Sequence, residues 1–230
     1  MKKTNFPLVA LLILVAFAAT NFAGENPSSE APIAIVMKIV KDVNFKKANG
    51  DWSATKIGQT LATGDEIKTG AKSLAIVKFT DNSILRVREN CSIKIYADKH
   101  DKQISKNTYI EKGGVNFEVT KQQQNEEFQF TTPTMVASIR GTKGFLQVGD
   151  NGTVLVLEEG AIDYKSLLGD QTKGNVTGGN SVIFTNDGQV TVATISPDQQ
   201  KQLEDSKKTN TKKIIIKTNQ GDLIIEYLEE

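Results

Sequence analysis

From Ile33 onward, apolar and polar residues alternate in short runs punctuated by turn formers. Residues 33–40 form a β-branched apolar stretch, and Asn49-Gly50-Asp51 after it marks a tight turn. Residues 75–79 and 84–88 read as two strands joined at Asp81-Asn82-Ser83. The second places Leu85 and Val87 on one face and Arg86 and Arg88 on the other. Residues 92–96 alternate with Ile93 and Ile95 inward. The pattern continues through Tyr109-Ile110, past Lys112-Gly113-Gly114, into residues 115–119. Phe128-Gln129-Phe130 follows a polar stretch.

The same rhythm fills the second half. Gly149-Asp150-Asn151-Gly152 predicts a hairpin between residues 145–148 and 153–157, and Gly160 predicts a turn into residues 161–164. Residues 181–184 and 190–193 flank Asn186-Asp187-Gly188 as another hairpin, and the glycine-rich residues 167–180 predict an exposed loop. Ser196 followed by Pro197 predicts a helix start, with a nearly all-polar face apart from Leu203. Residues 213–217 and 223–227 predict a C-terminal hairpin. These elements define an all-β fold class, a single sandwich- or solenoid-like domain of short antiparallel strands with a short C-terminal helix and β-hairpin. The expected division is domain 33–195, then helix and hairpin over 196–230.

The first residues carry a different pattern. Lys2 and Lys3 precede a 12-residue apolar run at 8–19, and Ala16-Phe17-Ala18 offers a small-x-small cleavage site. A bilayer-spanning helix needs roughly 20 apolar residues, so residues 1–18 read as a signal peptide. Residues 19–32 then form a linker, polar from Gly24. An uncleaved anchor is the alternative. Export predicts a periplasmic or secreted location.

Charge and chemistry exclude several classes. Without Lys2 and Lys3, the 28 basic residues become 26, against 27 acidic ones. That balance, with arginine only at 86, 88 and 140, gives no expectation of nucleic-acid binding. Cys91 is the single cysteine, so no internal disulfide can form, and it reads as a small half-buried residue at a strand start. His100 is the single histidine and falls in the polar stretch 98–102, where it is expected to be solvated. No zinc set, nucleophile–base pair or phosphate loop emerges. Glu126-Glu127 and Glu158-Glu159 are adjacent on strands, so each pair points to opposite faces and cannot flank one substrate. The reading expects no enzyme, no cofactor and no metal.

Five ordered segments resemble the FecR domain. Gly58-Gln59-Thr60-Leu61 precedes Gly64-Asp65-Glu66-Ile67-Lys68-Thr69-Gly70. Residues 75–85 hold Asp81-Asn82-Ser83 between apolar strands, with Asn82 where the family has glycine. Residues 113–119 form the third segment. Thr132-Pro133 opens the fourth, which runs to Arg140-Gly141-Thr142 and reaches Phe145 with Gly144 as a one-residue extension. Residues 154–164, containing Gly160, form the fifth. The resemblance spans residues 35–190 and marks Gly64, Asp65, Gly70, Asp81, Pro133, Arg140, Gly141, Thr142 and Gly160 as structural or partner-binding positions. Asp65 is read as a turn cap. Arg140 is read as ending a strand pair and tying a loop to the sheet, or else binding an anionic group.

The resemblance implies a non-enzymatic all-β module outside the cytoplasm. In the namesake proteins it relays a signal from an outer-membrane transporter to a sigma factor. Here no cytoplasmic segment precedes the apolar run, so that role is not expected to carry over. The expectation is a binding or scaffold module of the bacterial envelope, recognising a protein or glycan partner. The alternative is a membrane-anchored relay of the FecR type. A C-terminal edge at residues 214–217 could add a strand to a partner.

Overall fold

The computed structural model describes residues 31–100, 103–123, 126–209 and 211–228. The expected signal peptide and nearly all of the linker lie outside the described residues. No described helix is long and apolar enough to cross a membrane.

Eight strands come first: β1 (Ala34–Val40), β2 (Val43–Lys46), β3 (Trp52–Ala54), β4 (Thr60–Leu61), β5 (Glu66–Thr69), β6 (Leu74–Phe79), β7 (Ile84–Val87) and β8 (Ser92–His100). Three long strands follow, β9 (Gln103–Val119), β11 (Met135–Gly149) and β12 (Gly152–Ser166), with β10 (Glu126–Thr131) between the first two. Then come β13 (Lys173–Thr177), β14 (Asn180–Thr185), β15 (Val190–Thr194), helix α1 (Pro197–Lys207) and the hairpin β16 (Thr211–Thr218) with β17 (Gly221–Leu228). The all-β class, the C-terminal helix and the hairpin are as read from the sequence.

Fifteen strands form one continuous sheet, folded on itself and not closed. One layer runs β3-β2-β5-β8, then the first half of β9, β10, the first half of β11, the second half of β12, and β13. The other runs β4-β1-β6-β7, then the second half of β9, the second half of β11, the first half of β12, β14 and β15. All pairings are antiparallel except β9 with β10, which is parallel. Aromatic rings meet edge-on between the layers. Phe79 lies 5.0 Å from Phe128, Phe117 5.0 Å from Phe130, and Tyr164 5.3 Å from Phe184.

The three long strands serve both layers because each contains a glycine at positive φ: Gly113 at 89°, Gly141 at 66° and Gly160 at 88°. An extra residue at a bulge shifts the two-residue alternation by one and bends the strand. In β9, Lys106, Thr108 and Ile110 face inward before the bulge, and Val115, Phe117 and Val119 after it. In β11 the inward set changes from Met135, Ala137 and Ile139 to Leu146 and Val148. In β12 it changes from Leu155 and Leu157 to Ile162 and Tyr164. The apolar positions therefore reach a single core from both layers.

The structure corrects four local expectations. Gly160 is a bulge within β12, not a turn. Residues 167–180 are not all loop, since β13 pairs with β12 and buries Val176. Cys91 is fully buried rather than half-buried, at 1% exposure. His100, expected in a polar loop, closes β8 opposite Gln103.

Helix α1 covers the outer face of the second layer. Ser196 Oγ accepts from Gln199 N at 3.2 Å, and Gln199 Oε1 accepts from Ser196 N at 2.9 Å, which closes a capping box. Leu203 is the one buried apolar residue of the helix, packing on Phe145 and Val156 from the outward side of β11 and β12. The hairpin β16–β17 forms a separate two-stranded sheet with Ile214, Ile215, Ile216, Leu223 and Ile224 exposed.

Candidate functional site

The residues singled out from sequence do not converge on one point. They fall into three structural groups. Gly64, Asp65 and Gly70 surround β5. Gly64 adopts φ 85°, where a side chain would also meet Ala48 Cβ at 2.7 Å. Asp65 is buried and accepts from Ala48 N at 3.0 Å and Ala62 N at 2.9 Å, so each carboxylate oxygen is engaged by a backbone donor. Gly70 lets the chain pass against Asp42, whose carboxylate would lie 2.7 Å from any Cβ there.

The second group is built on Asp81. Its Oδ1 accepts from Ser83 N at 3.0 Å and holds the turn between β6 and β7, with Asn82 at φ 68°. Its Oδ2 accepts from Lys106 Nζ at 2.7 Å and Gln122 Nε2 at 2.9 Å. Both partners of the ion pair are buried, with side-chain exposures of 2% for Lys106 and 6% for Asp81. Burial alone would raise the Asp81 pKa; the hydrogen bonds from Lys106, Gln122 and Ser83 outweigh it and hold the carboxyl below its ordinary value. Sequence reading missed Lys106. The signal was its position two residues before Thr108 and four before Ile110 on an inward row.

The third group holds Pro133, Arg140, Gly141, Thr142 and Gly160. Pro133 caps an exposed turn between Thr132 and Thr134, whose hydroxyls reach Thr153 Oγ1 at 3.0 and 2.7 Å. At Gly141, β11 leaves β10 and takes up β9, with Thr142 opposite Val119. Thr142 is buried and donates to Ala161 O at 3.1 Å. Gly160 lies so close that a Cβ there would sit 2.5 Å from Gly141 O. The Arg-Gly-Thr motif is thus the crossing between layers. Arg140 stands where the β10–β11 pairing ends, as read from the sequence, but it ties no loop to the sheet. It lies within β11 opposite Ala161, its side chain is exposed, and it makes no side-chain hydrogen bond or ion pair among the described residues.

A cleft of about 210 Å³ lies beside the C-terminal turn of α1, lined by Asn116, Phe117, Glu118, Lys143, Glu158 and Lys207. Its charges are paired. Arg86 meets Glu118 at 2.6 Å, Lys143 meets Glu159 at 2.9 Å, and Lys207 meets Glu158 at 2.7 Å and Glu204 at 2.9 Å. Hydrogen bonding to Glu159 raises the Lys143 pKa. For Lys207, burial works downward but the bonds to Glu158 and Glu204 prevail and raise it. Glu158 and Glu159 are therefore taken up by different cations. Asn116 donates to Gly144 O and to Ser206 Oγ, both at 3.1 Å, joining the sheet to the helix. Arg86 Nε is buried here without a partner.

Among the described residues, no three His, Cys, Asp or Glu side chains converge as metal ligands. Burial pushes the Cys91 thiol up to about 12, which disfavours the nucleophilic thiolate at neutral pH.

The family model described as FecR protein matches residues 65–163, from the buried Asp65 to Asp163 just beyond the Gly160 bulge. That span is similar to the FecR domain, and it contains all the singled-out residues except Gly64. Two crystal structures of a protein described as a "putative anti-sigma factor" from Parabacteroides distasonis, at 1.65 and 2.50 Å resolution, resemble the chain. Each gives a TM-score of 0.48 at 11% identity over 56% of this chain, which spans 59% of the length of that protein. No curated protein matches.

Proposed function

We propose that the chain is an exported, non-enzymatic binding module of the bacterial envelope that recognises a protein or glycan partner. One observation carries this reading. Within the matched span, the motif chemistry is taken up by the scaffold: Asp65 accepts from backbone donors, Asp81 accepts from backbone and buried side-chain donors, and Gly141, Thr142 and Gly160 shape the layer crossing. Arg140 alone among the charged motif side chains stands exposed without a partner among the described residues. An exposed, unpaired guanidinium on a rigid scaffold supports docking to an anionic group of a partner.

Export is tested by fractionation and N-terminal sequencing of the mature chain. A start at Ala19 in a periplasmic or secreted fraction supports the reading. Retention of residues 1–18 in the membrane replaces it with the anchored FecR-type relay. Docking is tested by placing a photocrosslinker at Ser138, beside Arg140, in cells. A discrete adduct weakened by Arg140→Glu supports the module; its absence under native expression counts against it.

A further inference from the structure

The outer face of the first layer carries a patch that neither the FecR match nor the scaffold accounts for. Trp52 is the single tryptophan of the chain and stands exposed on β3. Lys68 Nζ lies 4.3 Å and Lys46 Nζ 5.7 Å from its ring centroid. Glu66 Oε1 lies between Lys46 at 3.4 Å and Lys94 at 3.6 Å, and Lys94 Nζ lies 5.4 Å from the exposed ring of Tyr96. Strand register sets this order: Trp52 lies opposite Lys46, Lys46 opposite Glu66, and Glu66 opposite Lys94. Two ammonium groups, Lys46 and Lys94, thus share one carboxylate, and a third, Lys68, lies over the indole, in a chain whose formal net charge is only +1.

We propose that this patch binds an acidic saccharide, a sugar ring carrying a carboxylate. The inference rests on the binding-module reading and names its ligand class. Charge complementarity calls for an anion: three cations against one carboxylate leave an excess of two positive charges on a rigid sheet face. The indole and phenol add flat apolar surface beside those cations. A pyranose offers both counterparts at once, an apolar C–H face for the rings and a carboxylate for the lysines. A peptide strand is the poorer fit. β2, β5 and β8 are each paired on both sides, and the one free edge beside the patch is the three-residue β3, too short to hold an added strand firmly.

The test titrates the full chain with an oligogalacturonate, a neutral dextran oligosaccharide and polyglutamate, following Trp52 emission. The expected result is a saturable change with oligogalacturonate alone. It weakens between about 0.1 and 1 M salt, where the screening length falls from roughly 10 to 3 Å. Calorimetry should show a loss of at least about tenfold for Trp52→Ala and for the pair Lys68→Glu with Lys94→Glu, each checked as folded by circular dichroism. No response to oligogalacturonate, equal binding of dextran or polyglutamate, or full affinity in Trp52→Ala overturns the proposal. If the crosslinked envelope partner survives in Trp52→Ala while oligogalacturonate fails, this inference falls and the binding-module reading stands.

Discussion

Replacing Asp81 with alanine removes the carboxylate that pairs with the buried Lys106 ammonium. The pair is 2.7 Å long with side-chain exposures of 6% and 2%, so solvent cannot take over the lost interaction. Breaking a buried pair by deleting one partner costs about 3–5 kcal/mol, because an uncompensated charge remains. For a domain of this size, each kcal/mol moves the melting point by roughly 2–4 °C, so Asp81→Ala should lower it by about 6–20 °C. Lys106→Met should cost less, since Asp81 keeps its bonds from Ser83 N and Gln122 Nε2. The combination Asp81→Leu with Lys106→Met should recover most of the loss, as a buried pair is often replaceable by apolar groups. Urea denaturation of the four chains measures this directly. A cost for Asp81→Ala below about 1 kcal/mol, the scale of an exposed pair, would refute the reasoning. So would a double variant no better than Asp81→Ala. The pH dependence has a definite sign. The folded-state pKa of Asp81 lies below its unfolded value, so the pair's stabilisation is complete above that unfolded value, about 3.9. It disappears as pH falls through the folded value. The stability difference between wild type and the double variant should therefore change only at acidic pH.

Gly160→Ala should destabilise more than Gly141→Ala in urea titrations. The first brings Cβ to 2.5 Å from a backbone oxygen, the second to 2.8 Å from the movable Lys121 Cγ, and both add about 1–2 kcal/mol of left-handed strain. Cys91, 1% exposed with its thiol pKa raised to about 12, should resist iodoacetamide at pH 8 in the folded chain and react once unfolded. Rapid native labelling would contradict the burial. Leu203→Ala should cost about 2–5 kcal/mol if the helix unfolds with the sheet. If the helix detaches alone, hydrogen exchange will accelerate over residues 197–207 while the strands stay protected.

What the sequence made legible was local. The turns at Asn49-Gly50 and Asp150-Asn151, the alternation of Leu85 and Val87 with Arg86, and the Ser196-Pro197 helix start all rest on contacts within a few residues. What escaped involved distance or a change of parity. β9, β11 and β12 read as separate strands because the inward row switches at Gly113, Gly141 and Gly160, and period-two reading stops where parity changes. β13 was lost because Lys173–Thr177 is polar apart from Val176. The Lys106–Asp81 pair joins residues 25 apart across the fold, and no spacing rule links them. Arg140 drew attention for its motif, but the structural weight sits on its neighbours Gly141 and Thr142. The Trp52 patch was invisible because Trp52, Glu66, Lys94 and Tyr96 lie on strands that sequence order scatters.

The bends in β9, β11 and β12 have a mechanical consequence. The two layers share three covalent chains, so pulling them apart loads peptide bonds as well as side-chain packing. Neither layer can melt while the other keeps its strands, because the melting layer would take half of each long strand with it. The domain should therefore yield as one unit, with a single transition rather than a peeling of layers. A ligand gripping one outer face would then be held by the whole core, with its load carried through Gly113, Gly141 and Gly160 to the opposite side.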